Sequence, residues 1–104
     1  MGTFDEREKA FEGKFAHDEQ VNFSVRARRN KLAGLWAAEK LGLTGAAAET
    51  YAKEIIAVDL EEAGDGDVIR KLKGDLAAKK IVHSDEEIAA ILDAKLQLAK
   101  QQLA

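Results

Sequence analysis

The chain has 104 residues, no proline, no cysteine, 34% charged residues and a formal net charge of −3. That is one domain's worth, with room for a single modest core. It excludes a disulfide framework, a thiolate nucleophile and a cysteine metal site, and so balanced a charge argues against a dedicated nucleic-acid binder.

Abundant Ala, Leu, Glu and Lys with only 6% aromatics favours helices over strands. Thr3-Phe4-Asp5-Glu6 reads as a capping box, with a first helix starting at Phe4. At about 100° per residue, Phe4, Phe11 and Phe15 fall in one narrow stripe, and charged residues occupy the rest of the surface. Gly13 weakens this helix by about 1 kcal/mol relative to alanine, and a helix this short is marginal alone in water. Residues 1–18 are therefore expected to form a mobile or loosely docked helical arm, and residues 19–104 the packed domain. Between His17 and Asn22 the apolar pattern changes phase, and Val21, Val25, Leu32, Leu35 and Trp36 predict the face of a first core helix that stops at Gly42.

Thr44 is the expected cap of the next helix, which runs to about Ala63 with Tyr51, Ile55, Val58 and Leu60 as its buried face and Ala52 and Ile56 beside them. Gly64 ends it. Asp65 or Asp67 is expected to cap a third helix carrying Val68, Ile69, Leu72 and Leu76, with Ile81 at its end and Gly74 as an unexplained weak point. Ser84-Asp85-Glu86-Glu87 is a second capping box. It opens a last helix with Ile88, Ile91, Leu92, Leu96, Ala99 and Leu103 on one face. Short connections make successive helices antiparallel, so the expected fold is all-α, an antiparallel four-helix bundle with an N-terminal arm.

Little in the chain points to catalysis. His17 and His83 are far apart with no HExxH pattern, so no metal site is expected. Ser84 is assigned to a cap, leaving no hydrolytic triad. The acids Asp59, Glu61, Glu62, Asp65 and Asp67 lack the alternating ligand pattern of a calcium loop, and solvated surface plus capping accounts for them. The N-terminus has no signal-peptide pattern and no stretch is apolar enough to span a bilayer, which predicts a cytoplasmic protein with no membrane insertion. The basic cluster Arg26, Arg28, Arg29, Lys31 is either a solvated helix face or a grip for oxyanions. One candidate function is therefore a helical nucleotide-sensing or RNA-binding module using Arg26 to Lys31. The phenylalanine stripe suggests another, a helix that enters a partner's groove. Burying three phenylalanines contributes about 5–9 kcal/mol, while ordering the arm costs about 1 kcal/mol or more per residue. Binding by the arm alone would be weak, and a second anchoring site on the bundle would have to reinforce it.

Phe4-Asp5-Glu6-Arg7-Glu8, Lys14-Phe15-Ala16-His17-Asp18, Ala27-Arg28-Arg29-Asn30-Lys31-Leu32, Gly34 through Leu43, Tyr51-Ala52-Lys53-Glu54 and Asp67-Val68 closely resemble the ζ-subunit family of α-proteobacterial F-type ATP synthase inhibitors. The resemblance runs to about Asp75. It implies a non-catalytic regulator, monomeric when free, that binds the catalytic head of the ATP synthase and no DNA, so that it sits peripheral to the inner membrane. It further implies that the N-terminal segment inserts as a helix at a catalytic subunit interface, blocking hydrolysis more than synthesis, while the remainder is a four-helix bundle. By position, the inhibitory residues are Phe4, Arg7, Phe11, Lys14 and Phe15; Gly13 stands where the family pattern has alanine. Members of the family bind ADP or ATP, so a regulatory nucleotide is expected without any required cofactor. Charge and a stackable ring make Arg28, Arg29, Lys31 and Trp36 the candidate nucleotide contacts.

Overall fold

The computed structural model describes residues 22–61 and 65–103. The arm, most of the phase change that follows it, and the Gly64 stop lie outside these residues. The described chain forms four helices: α1 over residues 22–40, α2 Gly45–Glu61, α3 Gly66–Ala78 and α4 Asp85–Leu103. Cross-helix pairs show the register. Arg26 meets Asp59 and Gly34 meets Ala52, so α1 and α2 run antiparallel. Tyr51 meets Asp75 and Glu54 meets Lys71, which sets α2 against α3 in the same way.

The helix ends follow from local hydrogen bonding. After α1, the Leu43 N–H donates to the Ala38 carbonyl at 2.8 Å and the Gly42 N–H to Glu39 at 3.1 Å. This is the paired-bond stop that requires a left-handed residue, and Gly42 supplies it with φ 79°. The same stop closes α3, where the Ile81 N–H donates to Leu76 and the Lys80 N–H to Ala77, but here Lys80 adopts φ 65° without the freedom of glycine. Ile81 therefore belongs to the turn and packs half-buried against the core. At the start of α4 the predicted capping box is present: the Glu87 N–H donates to Ser84 Oγ and the Ser84 N–H to Glu87 Oε1, each at 3.1 Å.

One core joins the four helices, with Ile55, Val68, Leu72, Leu76 and Ile88 fully enclosed. The α1 side differs from the expected face. Val25 is buried as expected, but Leu32, Leu35 and Trp36 are only half-buried, and the enclosed residues beyond Arg29 and Asn30 are Ala33, Ala37 and Ala38 with Gly34. Small side chains win this position because α1 and α2 approach so closely that a Cβ on Gly34 would stand 2.7 Å from the Ala52 Cα. Two other expectations are also corrected: Leu60 of α2 and Leu103 of α4, assigned to buried faces, are 64% and 41% exposed. By helical rotation, Leu60 is about 140° away from Ile55, too far round to share its stripe.

Candidate functional site

Three groups of side chains stand out on this frame. The first is an ionic junction where α1 meets α2 and the start of α3. Arg26 grips Asp59 with a two-pronged guanidinium contact, Nε to Oδ2 and Nη2 to Oδ1, and Nη2 also reaches Asp65 Oδ1 at 2.9 Å. Arg29 is 4% exposed; its Nη1 donates to Asp65 Oδ1 at 2.9 Å and its Nε and Nη2 to Asn30 Oδ1. The Asn30 amide in turn donates to Asp59 Oδ2 at 2.8 Å. Two cations and two carboxylates thus neutralise one another in a partly dry setting, where such forked, charge-assisted bonds are strongest. Burial alone would raise the Asp59 carboxyl, but hydrogen bonds from Arg26 and Asn30 and the charges of Arg26 and Arg29 hold it below its usual range. The Asp59 hydrogen bond raises Arg26 in response.

These contacts revise several readings of the sequence. The Asp59 side chain is buried rather than solvated, and Asp65, though half-exposed, is paired with both arginines. Asp65 stands at the N-cap position of α3 yet makes no side-chain cap bond, because its carboxylate serves the arginines; Asp67 pairs with Arg70 instead. Of the four residues expected to meet a nucleotide, Arg29 has its guanidinium engaged inside the protein. Arg28 and Lys31 lie together along a surface groove. Trp36, more than a helical turn further along α1, stands apart from them. Its ring lies 5.6 Å from that of His83, with Lys40 Nζ 5.4 Å from its centre.

The Trp36 corner is the second group. His83 Nδ1 faces Glu87 Oε2 at 3.4 Å, while Nε2 is buried with no hydrogen-bond partner among the described residues. The Ser84 N–H, then His83, hold the Glu87 carboxyl low. Ser84 Oγ is taken by the cap, so the adjacent histidine and serine form no nucleophilic pair. Nearby in the core, burial and then the hydrogen bond to Asp75 raise the Tyr51 hydroxyl far above its usual range. Among the described residues no group of three or more His, Asp or Glu is placed to hold a metal ion, and none of the helices is long and apolar enough to cross a membrane.

The third group is an apolar groove between α1 and α2. One lobe, about 260 Å³, is lined by Phe23, Ala27, Ile56 and Leu60 beside the Arg26–Asp59 pair. The adjoining lobe, about 400 Å³, shares Phe23, Ala27 and Ile56 and adds Ser24, Arg28, Lys31 and Leu103. Phe23 is 60% exposed. A groove of this kind suits a helical or extended peptide better than a reaction.

The profile of the family described as ATPase inhibitor subunit zeta matches residues 1–102. The chain belongs to the ζ-subunit family. A protein of known structure, solved by solution NMR, is 46% identical to this ζ-family chain and superposes with a TM-score of 0.70, covering 80% of this chain and 94% of its own. Comparison with curated proteins gives no match. Membership of an inhibitor family makes this ζ-family protein a regulator rather than an enzyme, and makes ATP synthase its partner.

Proposed function

We propose that the protein inhibits ATP hydrolysis by a rotary F-type ATP synthase. Residues 1–18 act as the wedge, entering a catalytic subunit interface as a helix through Phe4, Phe11 and Phe15 with Arg7 and Lys14 at its margins. Residues 19–104 act as the body that stays outside and raises the wedge's local concentration. What supports the reading is a family match spanning both parts, residues 1–102, together with a core drawn from Val25 to Ala99. The core of the described residues is drawn from four helices that begin at residue 22, downstream of the phenylalanine stripe.

Purified ATP synthase head provides the test. Micromolar full-length protein is expected to lower its ATPase rate. A chain lacking residues 1–18 is expected to unfold cooperatively and to inhibit no longer. An unchanged rate with full-length protein overturns the reading, and loss of cooperative unfolding in the truncated chain would place the arm in the core.

A further inference from the structure

We propose that the α1/α2 groove is a parking site for the chain's own N-terminal segment, with Phe15 and Phe11 covering Phe23, Ile56 and Leu60, so that the free protein holds back its own wedge. The regulatory half of this inference rests on the function proposed above; the docking half does not.

Three observations select this occupant. The first is position: the described chain begins at residue 22, and Phe23 lines both lobes of the groove, so the preceding segment enters at the groove itself. Phe15 lies eight residues before Phe23, within about 28 Å of fully extended chain. A helix continuing α1 without a break would instead carry Phe15 about 12 Å beyond the groove. Docking needs the chain to turn back between Ala16 and Asn22, and the apolar pattern changes phase in that interval.

Charge is the second. Residues 1–21 hold six acids, Asp5, Glu6, Glu8, Glu12, Asp18 and Glu19, against three bases, and so carry the whole net charge of −3, leaving the remaining residues balanced. The far lobe is edged by Arg28 and Lys31, which form no ion pair among the described residues. An acidic segment therefore meets a basic rim. The third is exposed apolar surface: Phe23, Leu60 and Leu103 are 60%, 64% and 41% exposed, and together with Ile56 they form one patch along the groove. Covering such a patch is favourable in proportion to the apolar area removed from water. Because ordering the segment opposes that gain, the docked state stays reversible.

The absence of cysteine allows one nitroxide to be placed at Glu12→Cys in the full-length chain. Amide signals of Ala27, Ile56 and Leu60 are then expected to lose most of their intensity, while those of Leu43 and Val82 at the opposite end keep theirs. Leu60→Glu, at an exposed position, is expected to restore the signals while the spectrum stays dispersed. Intensity loss that survives Leu60→Glu, or that spreads over both ends, overturns the docking. Mixing isotope-labelled chain with nitroxide-bearing chain separates out a second copy: loss in the mixed sample makes another molecule the occupant and likewise overturns it. In the ATPase assay, Leu60→Glu is expected to lower the inhibitory concentration about two- to ten-fold by raising the competent population. An unchanged concentration overturns the regulatory half. A nitroxide pattern as expected, with no inhibition by either chain, upholds the docking and overturns the inhibitor reading instead.

Discussion

Replacing Asp59 by asparagine keeps the shape of the side chain and removes the charge at the centre of the ionic junction. In the native protein both Asp59 oxygens accept: Oδ2 from Arg26 Nε and Asn30 Nδ2, Oδ1 from Arg26 Nη2. Asparagine can present an oxygen to only one of these sets, and its amide then faces a donor of the other. Arg26 is 43% exposed and can turn to water, whereas Arg29 is buried and loses part of the countercharge that its neighbour provides. Breaking one side of a buried pair costs about 3–5 kcal/mol, and the freedom of Arg26 brings the expectation down to about 2–4 kcal/mol. With about 4–8 °C per kcal/mol in a domain of this size, the melting temperature at neutral pH is expected to fall by about 8–32 °C, as read by far-UV circular dichroism. Acid provides the control. The folded Asp59 carboxyl is held low, so its stabilisation is complete above the unfolded value of about 3.9 and is lost as the pH falls through the folded one. The gap between native and D59N proteins should be full at neutrality and close in acid below that lower value. A gap under about 0.5 kcal/mol at neutral pH, within the range of ordinary surface substitutions, or one that does not narrow on acidification, refutes the assignment of Asp59 as the charged hub.

Two glycines in helices should respond in opposite directions. Gly34→Ala gains about 1 kcal/mol of helix propensity but drives a Cβ into the Ala52 backbone, and overpacking of about 1–3 kcal/mol makes the net change destabilising. Gly74→Ala meets nothing within 4 Å and should stabilise by about 1 kcal/mol; denaturant midpoints that move the same way for both would contradict the close α1/α2 approach. Lys80→Gly should stabilise by about 0.5–1 kcal/mol, because φ 65° is strained for lysine and free for glycine. A lower melting temperature for that variant would argue against the left-handed stop after α3.

Much of the architecture is readable along the chain because its signals are local. Gly42 ends α1, the Ser84 and Glu87 pair opens α4, and the stripes of Val68, Leu72 and Leu76 and of Ile88 and Leu92 are buried as their spacing predicts. The stop at Lys80 has no such signal, since a lysine carries no mark of a left-handed residue. The ionic junction left a partial trace. Arg29 stands four residues before Ala33 and Asn30 four before Gly34, so both continue the small-residue stripe that faces α2. Charge and polarity, however, point to a surface or a phosphate grip, and along the sequence they outweigh that register.

The sequence alone determined what depends on neighbours within a few residues: helical character, most helix limits, the periodic apolar faces of α3 and α4, and the long run of residues by which the ζ family is recognised. Only the tertiary structure decided which charges face inward. Whether Arg26 and Arg29 meet a ligand or Asp59 and Asp65 depends on how two helices more than thirty positions apart are rotated and spaced. That rotation is set by the glycine and alanine contact between α1 and α2, a property of the pair of helices that neither one carries by itself.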